Sequence, residues 1–279
     1  MTVLIVGGSG FLGSELIRQA RAAGHTTVAT YTTAQGTTSP SSWRPLDLRD
    51  AGSLDALLAD VNPSVVINAS SGRANWAVTA EGPLQLAIVA AKRGIRMVHM
   101  STDAVFSGAG RVHYDESCLP DPITPYGAAK AAAETGVLAV NPKAAVVRTS
   151  LIIGHGASKH ERLVHQLAAG TVSGVLFTDD IRCPVHVSDL VGAVLELALS
   201  DHAGIHHAAG ADALSRHELG VLIARRDGLD VTRLPTGLRA QSAVRGALDV
   251  RLDSQATQRS LHTPLRGARE FLRPQEDGK

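Results

Sequence analysis

Short apolar runs alternate with amphipathic segments along the first half of the chain. The run Thr2 to Val6 is rich in β-branched residues, and glycines follow it directly. The next segment, Phe11 to Ala23, has helical spacing, and a second strand is expected at Thr27 to Tyr31. A strand, a glycine turn and a helix in this order are typical of the start of a βαβ unit.

The same alternation continues to about residue 150. Helices are predicted at Ser53 to Leu58, Leu84 to Arg93 and Tyr126 to Val140, and strands at Val65 to Ile67, Arg96 to Met100 and Ala144 to Val147. These strands are apolar without strict alternation, which indicates burial on both faces. We therefore predict an α/β fold, a doubly wound parallel sheet of the Rossmann type with helices on both sides.

The hydrophobic pattern is looser in the second half. Helices are expected at Asp189 to Leu199 and Arg216 to Arg225, with a strand at Gly204 to Ala209 between them. We predict a dinucleotide-binding domain over residues 1–150 that includes the catalytic residues. A small substrate-binding lobe is expected over residues 151–279, interleaved with the first domain.

Composition narrows the class of protein. Hydrophobic residues make up 44% and charged residues 19% of the chain, and the net charge is +1. These values are ordinary for a globular protein and argue against a nucleic-acid groove or a basic membrane patch. Neither a signal peptide nor an apolar run of about 20 residues is evident. We expect a cytoplasmic protein with a small-molecule substrate, and the sequence leaves a homodimer open.

No metal site is predicted. The two cysteines, Cys118 and Cys183, are far apart, and the 12 histidines show no metal-ligand spacing. Two reduced thiols are the expected state of the cysteines.

The glycine turn carries the first candidate chemistry. Gly7 permits a tight turn, Gly10 lets a pyrophosphate approach the backbone, and Gly13 lets the helix pack closely. The N-terminus of the following helix offers N–H groups to phosphates. The residues expected to bind the dinucleotide here are Gly7, Ser9, Gly10, Phe11, Leu12 and Gly13.

The end of the second strand bears on cofactor choice. It holds Thr30, Tyr31, Thr32 and Thr33, without the carboxylate that would accept a hydrogen bond from the 2′-hydroxyl of NAD. This favours NADPH, with NADH as the second option. Further along, Asp47 and its neighbour Leu48 either contact the adenine, or Asp47 begins a helix; the sequence leaves both open.

A phenol and an ammonium stand four residues apart in Tyr126 and Lys130. On a helix these positions share a face, and a nearby cation is expected to lower the pKa of the phenol, so that it donates a proton near neutral pH. Ser101 and Thr102 follow the predicted strand ending at Met100, at the edge of the sheet where ligands bind. Thr102 could hold a substrate carbonyl; a strand-ending turn is the alternative.

Together these motifs resemble the extended short-chain dehydrogenase/reductase superfamily. The residues that carry the resemblance are the glycine turn from Gly7 to Gly13, Asn68-Ala69, Ser101-Thr102-Asp103, Tyr126 with Lys130, and the segment from Arg182 to Asp189. Within the superfamily, the segment Ser101 to Gly108, Val147 to Ser150 and Gly204 to Gly210 are similar to the dTDP-4-dehydrorhamnose reductase branch.

The resemblance implies residue roles. Thr102 is the hydroxyl member of a catalytic triad, Tyr126 its proton donor, and Lys130 the residue that holds the nicotinamide ribose. Further implied cofactor contacts are Tyr31, Asp47, Leu48, Ala69, Ser70 and Ser101. Implied substrate contacts are Ser71, Asp103, Ala104, Leu151 and Arg182. For Arg182 a diphosphate contact and a surface ion pair both stay open, and Asp189 is expected to cap the helix that follows it.

The implied activity is reduction of a keto group with NAD(P)H, on a sugar nucleotide or on an intermediate of specialised metabolism. This chain has Ala104 and Leu151 where the reductase branch usually has Tyr and Trp, two aromatics that shape the sugar pocket. The alternatives are an NAD-dependent epimerase or dehydratase of a sugar nucleotide, and a non-catalytic NAD(P)-binding regulatory subunit.

Overall fold

The computed structural model describes residues 1–243 and 245–274. Its strands are β1 (Thr2–Val6), β2 (Thr26–Tyr31), β3 (Ser42–Pro45), β4 (Val65–Asn68), β5 (Arg96–Thr102), β6 (His113–Tyr114), β7 (Ala145–Thr149), β8 (Ile152–Ile153), β9 (Leu176–Phe177), β10 (Ile181–Arg182), β11 (Val185–His186), β12 (Gly204–Ala208), β13 (Leu214–Ser215), β14 (Thr236–Gly237) and β15 (Arg251–Leu252). Its α-helices are α1 (Phe11–Ala22), α2 (Ala51–Val61), α3 (Gly82–Lys92), α4 (Pro125–Val140), α5 (Lys159–Ala169), α6 (Val187–Ala198), α7 (Arg216–Arg226), α8 (Gln255–Gln258) and α9 (Ala268–Phe271).

The central sheet has seven strands in the order β12-β7-β5-β4-β1-β2-β3. Every neighbouring pair in it is parallel. The strand order reverses between β1 and β4, which is where a doubly wound sheet opens a crevice for ligands. The predicted doubly wound α/β fold is confirmed.

Burial on both faces explains why the strands are uniformly apolar. Val3 and Ile5 of β1 pack against α1 and α6. Their neighbours Leu4 and Val6 belong to a second core with α2, α3 and α4 on the opposite face. Because successive strand residues point to opposite faces, a sheet covered on both sides needs apolar residues at every position.

The second half of the chain contributes to both the sheet and a lobe. β12 pairs with β7, so that His206 lies opposite Val147. A separate core joins α5, α7 and α9 through residues that include Val164, Leu219 and Leu272. The domain division at residue 150 stays a prediction, and residues 275–279 of the expected lobe lie outside the described residues.

Two helix starts in this half carry capping boxes. Ser158 and Glu161 form one at the start of α5, and Ser215 and Glu218 form one at the start of α7. In each, the serine hydroxyl and the glutamate carboxylate satisfy backbone N–H groups that have no helical partner. α5 was not expected from the hydrophobic pattern, although the Ser-x-x-Glu spacing marks its start.

The expectation that Asp189 caps α6 is wrong. The ring of His186 caps this helix by accepting from the backbone N–H of Ser188 at 3.3 Å. Asp189 lies within the first turn, where its carboxylate pairs with Arg266 at 2.7 Å.

Within the part of the chain that the structure describes, no helix has both the length and the apolar character needed to span a lipid bilayer.

Replacing Gly13 with Ala is expected to destabilise the fold by about 2–3 kcal/mol, since overpacking costs of this size are usual. A Cβ at Gly13 would lie 2.3 Å from the carbonyl oxygen of Gly7 and 2.7 Å from the Cα of Gly8. Urea denaturation measures the change. The control is Gly52→Ala at the start of α2, where a Cβ meets nothing closer than 3.4 Å. It should stabilise by about 0.5–1 kcal/mol; equal effects of the two substitutions would contradict the close packing.

Candidate active site

One cavity of about 1230 Å³ lies at the carboxyl ends of the central strands. The predicted site residues that line it are Gly7, Ser9, Gly10, Phe11, Leu12, Tyr31, Asp47, Leu48, Ala69, Ser70, Ser71, Ser101, Thr102, Asp103, Ala104, Tyr126, Lys130, Leu151 and Arg182. Gly13 is placed below the loop, against the backbone of Gly7 and Gly8, where it packs rather than faces the cavity. The structure thus brings nearly the whole predicted set to one place.

The glycine turn is held against the end of β4. Gly7 has φ +83°, and a Cβ on it would lie 2.8 Å from the backbone of Ser70. Its N–H donates to the hydroxyl of Thr30 on β2 at 3.1 Å. Gly10 precedes α1 and has no side chain to cap it. The N–H groups at the start of α1 are therefore available to an anion.

The ends of β2 and β3 contribute the next part of the cavity wall. Tyr31 ends β2, Asp47 and Arg49 follow β3, and all three line the cavity. Asp47 does not begin a helix, because Asp50 is the residue whose carboxylate caps α2. Instead Asp47 accepts from Arg49 Nε at 2.9 Å, and this hydrogen bond lowers the pKa of the Asp47 carboxyl to about 2. Arg49 was not predicted as a site residue.

The predicted triad converges from two elements. Tyr126 and Lys130 lie on one face of α4, which begins at Pro125 after the capping side chain of Thr124. Thr102 is the last residue of β5. The side chains of Thr102 and Ser71 lie close enough to the phenol of Tyr126 to act on its pKa, and the hydroxyl of Thr102 accepts from the backbone N–H of Ala104 at 3.2 Å.

Lys130 is buried, with 3% of its surface exposed. Its Nζ donates to the backbone carbonyl of Met100 at 2.8 Å. Burial lowers the pKa of the ammonium to about 8, and the nearby carboxylate of Glu134 acts in the opposite direction. The ammonium is therefore mostly charged at neutral pH and loses its proton only about one pH unit higher.

The expected lowering of the Tyr126 pKa is wrong. Burial raises the pKa of the phenol, and the charge of Asp103 adds to this, while the hydrogen bonds with Ser71 and Thr102 oppose it. The ammonium of Lys130 is directed at the Met100 carbonyl, and loss of water around the phenol dominates. Tyr126 is consequently protonated at neutral pH, the form from which a proton is donated.

Ser101 lines the cavity, yet its hydroxyl is used elsewhere. It donates to the carboxylate of Glu134 on α4. Since Ser101 and Thr102 are consecutive on β5, their side chains leave the strand on opposite sides. The hydroxyl of Ser101 therefore contacts α4, and the implied cofactor contact of Ser101 stays a prediction.

Arg182 forms a buried ion pair rather than a surface one. Its guanidinium lies 3.6 Å from Asp103 and 3.0 Å from Asp180, and it donates to the carbonyl of Ala247 at 2.7 Å. Asp103 also accepts from the hydroxyl of Ser150 at 2.6 Å. Of the two interpretations left open for Arg182, the surface ion pair is wrong.

Further cations that the sequence did not single out line the cavity. The second half of the chain contributes Lys159, Arg162, Arg216, Arg239 and Arg245, and the segment after β4 contributes Arg73. The buried carboxylate of Asp180 pairs with three guanidinium groups, those of Arg182 at 3.0 Å, Arg216 at 3.2 Å and Arg239 at 2.7 Å. Among the described residues that line this end of the cavity, the cations outnumber the one lining carboxylate, Asp103, so this end carries positive charge.

The site combines a glycine turn at a helix N-terminus with Thr102, Tyr126 and Lys130 at the carboxyl edge of a parallel sheet. This combination defines a short-chain dehydrogenase/reductase, a class of NAD(P)-dependent oxidoreductases. The family model of the RmlD substrate binding domain matches residues 1–274. The chain belongs to this family, which lies within the extended branch of the superfamily.

Known proteins of this kind are similar over most of their length. A dTDP-4-dehydrorhamnose reductase of Mycolicibacterium smegmatis is 33% identical, covering 97% of this chain and 83% of the relative. The crystal structure of a hypothetical dTDP-4-dehydrorhamnose reductase from Sulfolobus tokodaii has a TM-score of 0.82 at 27% identity, covering 95% of this chain and 97% of the other. The Bacillus anthracis dTDP-4-dehydrorhamnose reductase in complex with NADP has a TM-score of 0.82 at 21% identity, covering 97% and 96%.

Lys130→Met is expected to stabilise the protein at pH 7 by about 2 kcal/mol, because an ammonium that is costly to bury is removed. Between pH about 8 and 10.5, the unfolded wild type retains a proton that the folded state has released. Wild-type stability therefore rises with pH in this window, and the advantage of the variant shrinks.

Urea denaturation at pH 7 and pH 9.5 measures both effects. Lys92→Met, at an exposed lysine in the last turn of α3, is the control and should show no such pH dependence. A loss of stability in Lys130→Met at pH 7 would contradict the cost of burial.

Proposed function

We propose that the protein reduces the keto group of a nucleoside-diphosphate sugar with NADPH. The observation that carries the proposal is the layout of one continuous cavity. The glycine turn lies at one end, the positively charged lobe at the other, and Tyr126 with Thr102 lies between them. The related reductases named above act on a dTDP-linked keto sugar, which supports the same substrate class for this chain.

The size of the cavity supports two ligands. Pockets for a single drug-sized molecule are about 300–1,000 Å³, and this cavity is about 1230 Å³. A dinucleotide on the glycine turn leaves the lobe end for a second molecule. The cations that line this end, among them Lys159, Arg162 and Arg216, favour a diphosphate there, since Arg–phosphate pairs are frequently bidentate.

A second pocket of about 530 Å³ continues from the charged end of the cavity. It shares Lys159, Arg162 and Arg216 with the main cavity, and its wall includes the apolar side chains of Leu176 and Phe177. An apolar pocket beyond a cluster of cations suits a nucleobase attached to a diphosphate. The absence of aromatic side chains at Ala104 and Leu151 leaves the sugar region wider than in the usual branch.

The residues between the two ends can perform the proton chemistry. The protonated phenol of Tyr126 donates to the developing alkoxide, and the Thr102 hydroxyl orients the same oxygen. NADPH supplies the hydride when bound. Lys130, held by the Met100 carbonyl on the same face of α4, supplies a cation that favours the phenolate left when the proton is donated.

NADPH preference rests on Arg49. It lines the cavity beside Tyr31 and Thr32, at the position where a 2′-phosphate would lie after β2. Its present partner is Asp47 at 2.5 Å, in a mostly exposed pair. Such pairs contribute little, so a phosphate can take over the guanidinium at small cost.

Arg49→Gln is expected to weaken NADPH binding by about fivefold to tenfold and to leave NADH binding within about twofold, because only NADPH carries the phosphate. Fluorescence titration of each cofactor measures this. Arg44→Gln is the matched control, a half-buried arginine on β3 that pairs with Asp60 at 3.5 Å. Equal weakening of both cofactors by the Arg49 substitution would refute its role in selectivity.

Tyr126→Phe is expected to reduce turnover of dTDP-4-dehydrorhamnose at least about hundredfold while NADPH still binds, because the proton donor alone is lost. NADPH oxidation at 340 nm and a binding titration measure the two effects. An epimerase or dehydratase would convert substrate without consuming NADPH. A regulatory subunit would show no turnover in the wild type, and either result would overturn the proposal.

A cytoplasmic location and a homodimeric assembly stay predictions from the sequence.

A further inference from the structure

A buried trio of polar residues lies directly beneath the proposed triad. Glu134 of α4, Arg148 of β7 and Ser101 of β5 have 2%, 2% and 4% of their surfaces exposed. Arg148 donates to both carboxylate oxygens of Glu134, from Nε at 3.1 Å and from the terminal nitrogen at 2.8 Å. The hydroxyl of Ser101 donates to the same carboxylate.

On both α4 and β5, residues of the trio directly neighbour residues of the triad. On α4, Glu134 follows Lys130 at the same four-residue spacing at which Lys130 follows Tyr126, so the three share one face. On the sheet, Ser101 lies opposite Arg148 and directly precedes Thr102. Two consecutive β5 residues thus hold α4, since Lys130 donates to the carbonyl of Met100 and Glu134 accepts from Ser101.

Arg148 also reaches the segment that leads into α4. It donates to the carbonyl of Cys118 at 3.1 Å, and its guanidinium lies 5.0 Å from the ring centre of Phe106. Phe106 follows the short helical turn after Thr102. One guanidinium therefore contacts both the segment that follows Thr102 and the segment that precedes Tyr126.

We propose that Glu134 and Arg148 are positioning residues, which fix the height and rotation of α4 on β5 and so set Tyr126 and Lys130 against Thr102. This rests on the proposed roles of those three residues. Neither Glu134 nor Arg148 lines the cavity among the described residues, so they act through their neighbours. A buried ion pair is seldom more stabilising than apolar residues of equal volume, but it demands a defined geometry.

The carboxylate of Glu134 also acts on the charge of Lys130. The charged and titratable groups near that ammonium are Glu134 and Tyr126 from α4, His99 from β5, and Arg148 from β7 behind Glu134. Burial and the neighbouring Lys130 keep the pKa of His99 well below its ordinary value, so this ring is neutral. Glu134 is then the anion that keeps Lys130 protonated.

The test compares three variants with the wild type. Glu134→Gln alone would strand a buried guanidinium and could unfold the protein, so the main variant is the double substitution Glu134→Gln with Arg148→Gln. Ser101→Ala keeps the ion pair and removes one link between α4 and β5. The control is Asp189→Asn with Arg266→Gln, which removes the ion pair at the start of α6, away from the cavity lining.

The measurements are melting temperature, kcat with dTDP-4-dehydrorhamnose and NADPH across pH, and NADPH affinity across pH. The double variant should lose about tenfold to hundredfold in kcat. Its activity and NADPH affinity should decline at a lower pH than those of the wild type, because the Glu134 charge that raises the pKa of Lys130 is lost. Ser101→Ala should lose about threefold to tenfold in kcat with an unchanged pH dependence. The control should melt earlier with kcat and pH dependence unchanged.

A folded double variant with wild-type kcat and pH dependence would overturn the inference, as would a control that shifts them equally. If the wild type turns over no keto sugar nucleotide, the proposed function fails. The inference is then decided by NADPH titration alone, where an unshifted pH dependence in the double variant rejects it.

Discussion

The burial of one ammonium group governs the geometry of this site. Lys130 points its charge into the protein, where the carbonyl of Met100 accepts from it and Glu134 supplies the opposing charge. A charge removed from water needs such partners, so α4 has little freedom to rotate on β5. Tyr126 lies on the same helix as Lys130, and Thr102 ends the strand that holds Met100. The hydrogen bond from Lys130 to the Met100 carbonyl therefore also fixes where the Tyr126 phenol lies relative to the Thr102 hydroxyl.

Parallel topology brings the remaining parts to the same edge. The glycine turn follows β1, Ser70 and Ser71 follow β4, and Thr102 ends β5. These three strands are neighbours in the sheet. Gly7 lies so close to the backbone of Ser70 that a side chain on Gly7 would not fit. The glycine turn is thereby packed against Ser70 and Ser71, and Ser71 lies near the phenol of Tyr126. Cofactor and substrate positions are thus set by one rigid edge.

The lobe brings charge to this edge. Asp180 is fully buried and shared among the guanidinium groups of Arg182, Arg216 and Arg239. Further cations, Lys159 and Arg162 among them, line the same end of the cavity, which suits it to the diphosphate proposed above. Lys130 is a further buried cation, and burial lowers the pKa of its ammonium to about 8.

The amino-acid sequence by itself determined the sheet with its flanking helices, the dinucleotide turn, and the shared helix face of Tyr126 and Lys130. These features follow from local periodicity and short spacings, whereas the place of Thr102 beside them was implied by the family resemblance. Only the tertiary structure decided that the Tyr126 pKa is raised, that Ser101 supports α4 and that Arg49 lines the cavity. Likewise, the cations around Asp180 come from segments far apart in sequence. Burial and charge pairing depend on which distant residues meet in space, and no local pattern records that.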